Sequence, residues 1–384
     1  MIKKHNYNYI ICGGGASGLL LIRQLFSDSF FYNKKILLIE KEEKKSNDRT
    51  WSYWEKIDGP LDYLVSKKWK RGFFKSKSFE KKFSMDPYTY KSVRAEDFYN
   101  SFEKLSTKYS NFFSVKASVL KINSKMNQVI TDKGEFYGDF IFSSILDLSG
   151  LKKQKKYPIL KQHFIGQFVE TQNKIFDPET ITFMDFKIEQ KNETRFMYLL
   201  PYSKTKALIE YTLFSANHLK ENEYINAIEK YLQKMNPGSY KILGSESGSI
   251  PMTAFKFKSA NTKNLLYIGT AGGWTKSSTG YTFLNALNKT KSLKDYLKLN
   301  KPLNQFEKNN RFWFYDMIFL DVLDKYNSKG HLIFQKMFAN NKPEIIFKFL
   351  AEKSSIWEEV KLFSSFKLNW FLLALLKRAF KSFY

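Results

Sequence analysis

The sequence predicts an α/β protein: a Rossmann-type dinucleotide-binding domain, an inserted antiparallel-sheet substrate domain and a helical C-terminal region. Three observations predict it. The apolar run Tyr9-Ile10-Ile11-Cys12 leads directly into Gly13-Gly14-Gly15-Ala16-Ser17-Gly18. Residues 161–250 hold short apolar stretches of strand length, and from Phe306 onward apolar residues recur at helical spacing.

The N-terminal unit is justified element by element. Tyr9 to Cys12 reads as a strand, Leu19 to Phe26 as a helix, and Lys35 to Ile39 as a second strand ending in Glu40. Gly13 allows a tight turn, Gly15 lets the backbone approach a pyrophosphate, and Gly18 lets helix and strand pack closely. The helix N-terminus offers amide donors and a positive dipole end to phosphates. Glu40 is placed to accept hydrogen bonds from ribose hydroxyls. These features alone fit FAD and NAD equally. Much later in the chain, Leu265 to Ile268 reads as a buried strand, and Gly269 through Gly280 as a glycine-rich loop ahead of a helix. A second such loop favours FAD, bound across the whole fold. The FAD-binding domain is therefore expected to be discontinuous, covering 1–60, 85–160 and 251–300.

The bulk numbers set bounds. The chain has 384 residues, of which 43% are hydrophobic, ample for a buried core. Its formal net charge is +26, from 63 Lys and Arg against 37 Asp and Glu. That surplus reads either as a Lys-rich surface or as an attraction to an anionic membrane face, ahead of nucleic acid. The single cysteine, Cys12, lies in an apolar strand and suggests a reducing compartment. His5, His163, His218 and His331 show no metal-ligand spacing, so no metal site is expected. Glycines interrupt the only apolar N-terminal stretch, and Trp370 to Leu376 is too short to span a bilayer. The expected place is the cytoplasm, attached peripherally to membrane.

Between the two glycine-rich loops, Lys67 to Lys82 interleaves basic residues with Trp69, Phe73, Phe74 and Phe79. Such a pattern could stack single-stranded nucleic acid. A half-buried pair of strands with Lys on the wet side is the simpler account, and no nucleic-acid partner is expected. Tyr90 to Tyr99 reads as the start of a helix with Glu96 and Asp97 in its first turn. Short strands follow at Phe113 to Ile122, Asn127 to Thr131 and Phe140 to Leu146. The pieces Phe164–Thr171, Thr182–Phe186, Arg195–Pro201 and Ala207–Leu213 make the inserted sheet. With 61–84 it forms the substrate-binding unit, 161–250, while 301–384 forms the helical region. Within Ala207–Leu213, alternation puts Leu208, Glu210 and Thr212 on one face. Composition alone lets Glu210 face water or sit in a core ion pair.

Several of these pieces, in order, resemble the lycopene cyclases of carotenoid synthesis. They include Asp48-Arg49-Thr50-Trp51, Phe168-Val169-Glu170-Thr171, Met184-Asp185-Phe186, Leu199-Leu200-Pro201, Ile209-Glu210-Tyr211-Thr212 and Ile250-Pro251-Met252-Thr253. The late loop, Gly269-Thr270-Ala271-Gly272-Gly273-Trp274 with Gly280-Tyr281, and Tyr315 to Leu323 continue it. Ser143-Ser144-Ile145 departs from it, since the family pattern has Asp-Ser-Arg there. The resemblance implies a lycopene β-cyclase, an isomerase that turns the acyclic ends of lycopene into β-ionone rings without net redox change. It implies reduced FAD, with NAD(P)H as reductant, and Glu210 as the essential acid, with Asp185 and Glu170 as further carboxyl candidates. A carboxyl in an apolar cavity stays protonated near neutral pH, as alkene protonation requires. The cofactor would be held by Gly13, Gly15, Ala16, Gly18, Glu40, Arg49, Arg94, Gly269, Gly272 and Gly280. Trp51, Tyr53, Trp54 and Trp274 would face the substrate cation. Neighbouring carotenoid enzymes are expected partners. A flavin-dependent hydroxylase or prenyl-chain reductase is the rival enzyme, and a basic lipid-binding protein the rival outside enzymes.

The C-terminal stretch supports a membrane partner. Phe312 to Leu320 and Trp370 to Leu376 are apolar blocks, and the second is followed by Lys377, Arg378 and Lys381. Apolar side chains in the acyl boundary with cations at the headgroups describe an interfacial helix; a terminal helix packed on the core fits the same pattern.

Overall fold

The computed structural model describes residues 6–307, 310–366 and 368–381. Strand Asn6–Cys12 lies inside the first sheet, parallel to Ile36–Glu40 on one side and to Gly134–Ser143 on the other. Phe112–Lys116 extends this sheet beyond Ile36–Glu40, also in parallel, and Leu265–Tyr267 runs parallel to the end of Gly134–Ser143. Ile10, Ile11, Cys12, Ile36, Leu37 and Ile39 are all buried, as a sheet covered on both faces demands. Helix Ala16–Phe26 covers one face together with helix Phe283–Leu297, and Leu19, Leu21, Leu25, Ala286 and Leu293 share one core. Gly18 makes this packing possible: a Cβ there would lie 2.1 Å from the Gly13 carbonyl oxygen.

Sequence and structure part in three places here. Phe113 to Ile122 is not one strand but two, Phe112–Lys116 and Val119–Asn123, and the second belongs to an antiparallel extension with Gln128–Thr131. Tyr90 to Arg94 is strand, and the helix starts only at Ala95, with Glu96 and Asp97 in its first turn as expected. Four successive buried residues disguise that strand, and one is Lys91, whose amine is bonded to Asp62 at 2.5 Å and Glu55 at 3.1 Å. The Lys67 to Lys82 stretch contributes to two sheets. Val65–Trp69 joins Thr89–Arg94 and Thr50–Glu55 in a small three-stranded sheet, while Arg71–Lys75 and Glu80–Ser84 join the large one.

The large sheet runs Tyr240–Met252, Leu160–Thr171, Lys206–Ser215, Thr194–Pro201, Thr180–Asp185, Arg71–Lys75, Glu80–Ser84. All neighbours are antiparallel except Thr180–Asp185 and Arg71–Lys75. Alternation divides its two faces as expected. Ile209, Tyr211 and Leu213 pack on helix Glu221–Gln233 through Tyr224, Ile228 and Leu232. Leu208 and Phe214 face the other way, toward helices Gly330–Asn340 and Pro343–Leu350, whose Phe334, Phe338 and Phe347 share their core. Helices Arg311–Lys325, Ile356–Ser364 and Leu368–Lys381 complete the C-terminal region. No described helix is long and apolar enough to cross a membrane.

Candidate active site

A cavity of about 470 Å³ runs from the nucleotide-binding sheet to the large sheet. One end is backbone-rich, with Gly15, Ala16, Ser17, Gly269, Thr270 and Gly280 on its wall. The space in front of Gly15 is open, since a Cβ there would meet nothing within 4 Å. Gly15 also caps helix Ala16–Phe26 without a side-chain bond, so the first helical amides point at that space. Glu40 stands beside the turn and accepts a hydrogen bond from the Gly14 amide at 2.5 Å. The late loop closes over this end, with Gly269 in the left-handed region and a virtual Cβ only 2.4 Å from Ser17 Oγ. Gln162 Oε1 and Thr279 Oγ1 are buried without hydrogen-bond partners among the described residues, and both residues line the cavity. A cradle with free amides and two unpaired oxygens further along suits a dinucleotide carrying a polar ring system.

The other end is aromatic and apolar, walled by Phe183, Phe196, Phe214, Phe334, Met337 and Phe338. Between the two ends stands Glu210. It lies on the cavity face of strand Lys206–Ser215, and its exposed surface opens into the cavity while protein encloses it on every side. Burial raises its carboxyl well above the ordinary Glu range, and the nearby Glu246 carboxylate raises it further by like-charge repulsion and by accepting a hydrogen bond. Near it, Tyr90 and Tyr198 hydroxyls are 2.6 Å apart, and Tyr281 also bonds to Tyr90. Burial holds all three phenols well above their ordinary range, so they are neutral. The site thus presents an acid that its surroundings push toward the protonated form, among neutral phenols and aromatic faces.

The other sequence candidates fall in different places. Trp51 lines the cavity and stacks on Phe283 at 5.2 Å, and Arg49 also lines it, from an exposed loop position paired with Asp48. Tyr53 and Trp274 are core residues of the nucleotide-binding unit, while Trp54 sits one layer back, edge-on to Tyr281 at 4.8 Å. Arg94 pairs with Glu96 and borders a second hollow beside Asn47 and Lys206. Gly272 lies within the turn that follows the late strand. The structure does not bring Asp185 or Glu170 to the cavity. A register irregularity between Thr182 and Asp185 sends Asp185 to the helix face, where Tyr231 donates to it at 2.9 Å. Glu170 lies at the far end of its strand, paired with Lys206 and Lys241. Sequence reasoning missed Tyr90, Tyr198, Tyr281 and Glu246. Only Glu246 left a usable signal, a lone acid in the strand-length run Ser245-Glu246-Ser247-Gly248-Ser249-Ile250.

A glycine turn on a parallel sheet, joined through one cavity to an antiparallel wall, defines the two-site flavoprotein class of fold. Solved structures bear this out. A geranylgeranyl bacteriochlorophyll reductase-like protein of Thermoplasma acidophilum superposes with a TM-score of 0.62 at 15% identity, covering 96% of this chain and 98% of its own. A p-nitrophenol 4-monooxygenase of Pseudomonas putida gives 0.58 at 12% identity, covering 98% of both chains. A flavoprotein/dehydrogenase of Cytophaga hutchinsonii gives 0.57 at 12%, covering 97% of this chain and 100% of its own. Among curated proteins, no significant sequence match is found. Over residues 8–377 the chain matches the lycopene cyclase protein family, and it belongs to that family.

Proposed function

We propose that this protein is a lycopene β-cyclase and that the cavity holds one acyclic end of the carotenoid. Glu210 carries the proposal: a carboxyl held protonated, facing an aromatic cavity that continues into a dinucleotide cradle. It would deliver its proton to the terminal C1=C2 bond, leaving a cation at C1. Attack by C5=C6 closes the six-membered ring, and loss of the C6 proton yields the β-ring. Tyr90, Tyr198, Tyr281, Trp51 and Phe183 present π-faces and exclude water around the cation. Gly13 to Gly18 would hold the pyrophosphate of FAD, Glu40 the ribose, and Gly269, Thr270, Thr279 and Gly280 the flavin end. Reduced FAD, with NAD(P)H as reductant, would supply electron density that stabilises the cation. In this reading residues 1–60, 85–160 and 251–300 serve the cofactor, and 61–84 and 161–250 the substrate.

We place the protein peripherally on a membrane, where its substrate dissolves and neighbouring carotenoid enzymes would work. Ile356, Trp357 and Val360 of one helix and Leu372, Leu373 and Leu376 of the next are exposed, with Trp357 at 84%. Expression in lycopene-accumulating cells, followed by chromatography of the pigments, tests the reaction. Appearance of γ- and β-carotene is expected; unchanged lycopene beside flavin-loaded protein would refute it.

A further inference from the structure

Glu210 does not act alone in this fold. In the large sheet, strand Leu160–Thr171 runs between Lys206–Ser215 and Tyr240–Met252, and Gly166 is paired with Glu210 on one side and with Glu246 on the other. The three residues are therefore in line across the sheet and share its cavity face. Any side chain at the middle position would keep the two acids apart. A Cβ on Gly166 would lie 2.8 Å from Glu210 Cγ and 3.4 Å from Glu246 Cγ. Glycine leaves that space empty, and the carboxyls meet over it.

Neither acid has a cation in contact: among the described residues, no Lys or Arg approaches Glu210 or Glu246 within ion-pairing distance. Glu246 is 5% exposed. Two touching carboxyls without a cation cannot both be ionised at modest cost, so one proton stays between them. Their surroundings decide which acid keeps it. Thr50, from strand Thr50–Glu55, donates its hydroxyl to Glu246 Oε2 at 2.7 Å, which favours the anion there. Burial raises the Glu246 carboxyl too, but the Thr50 hydroxyl, the bond from Glu210 and the Arg49 charge, partly offset by Asp48, all act to lower it, whereas at Glu210 burial and Glu246 both act to raise. Tyr202 also faces Glu246, as a neutral phenol whose pKa burial raises to about 12. Around Glu210 the groups are the neutral phenols Tyr90, Tyr198 and Tyr281.

We infer that Glu246 is the positioning carboxylate of a one-proton pair, held by Thr50 across Gly166, and that it keeps Glu210 in the acid form. The inference rests on the cyclase reading for its chemistry but not for its geometry. Once Glu210 gives up its proton, two carboxylates face the new cation at C1, and their combined charge opposes its escape to water. The pair titrates as a unit, so activity needs the singly protonated state and the pH–rate profile is bell-shaped.

The test uses the flavin-loaded enzyme with reduced cofactor. Glu246→Gln removes the neighbouring charge; the alkaline limb should move down by about one pH unit or more, and the acid limb should vanish. Glu246→Asp should restore both limbs in part. Thr50→Val should move the acid limb upward, because the Glu246 anion loses its donor. Flavin absorbance reports whether each variant folds. A Glu246→Gln enzyme with the wild-type rate and both wild-type limbs overturns the inference. Infrared titration of the protonated carboxyl separates this idea from the cyclase reading. A band that persists at neutral pH, disappears in Glu210→Gln and titrates lower in Glu246→Gln supports the pair even if lycopene is not the substrate. A wild-type protein without that band overturns it.

Discussion

At the residue scale, the proposed chemistry depends on a carboxyl that the fold makes reluctant to ionise. Glu210→Gln keeps the shape and removes the acid, so cyclisation should fall by about a hundredfold or more while flavin stays bound. Chromatographic rates alongside flavin content check this. The same burial costs stability. Because the folded pKa of Glu210 lies above its ordinary value of 4.5, the folded state holds an extra proton above that pH. Stability from this group is complete at acid pH and declines as pH rises from there toward the folded pKa. Glu210→Gln should therefore gain thermal stability relative to wild type as pH increases from about 4.5, which melting curves across pH would show. The residue itself was legible in the sequence through its Ile-Glu-Tyr-Thr context. Its partner showed only as a lone acid in a strand-length run, because nothing along the chain says that Glu246, two strands away across the sheet, shares its proton.

At the scale of elements, glycine positions matter more than strand propensity. Gly166→Ala should leave the sheet paired but spread the two acids, lowering the cyclisation rate by about tenfold or more with flavin content unchanged. Gly18→Ala acts elsewhere: its Cβ would strike the Gly13 carbonyl, so the helix must move off the turn. That variant should lose flavin during purification, measured by the absorbance ratio of cofactor to protein. The N-terminal strand, turn and helix were readable because local spacing creates them. Glu170 and Asp185 show the limit: alternation puts Glu170 on the Glu210 face, yet it ends up remote, and a register irregularity turns Asp185 to the opposite face. Helix Glu221–Gln233, which covers one face of the sheet, and strand Tyr240–Met252, its edge strand and the source of Glu246, were left unassigned by the sequence.

For the whole molecule, the proposed membrane contact is tested through charge and exposed apolar surface. With +26 formal charge and exposed apolar side chains on its last described helices, the protein should sediment with anionic phospholipid vesicles, and less so as salt rises. Replacing Trp357, Leu372 and Leu376 by Ser should weaken that binding by about tenfold or more without changing flavin content. Equal binding by the variant would place the membrane contact elsewhere. The last described helix packs inward through Arg378 on Asp321 at 2.5 Å, as the core-packed expectation has it, while Leu372, Leu373 and Leu376 stay exposed.

By itself the sequence determined the dinucleotide-binding unit, the antiparallel wall and the helical C-terminal region, and its resemblance to the cyclases singled out Glu210 as the acid to propose. The three units rest on short-range pattern: glycines at turn spacing and apolar residues at period two or near four. Only the tertiary structure decided which side chains share the cavity. That choice depends on sheet register and on layers packed against each other. Gly166 shows why. Its lack of a side chain becomes meaningful only when strands distant in the chain put one carboxyl on each side of it.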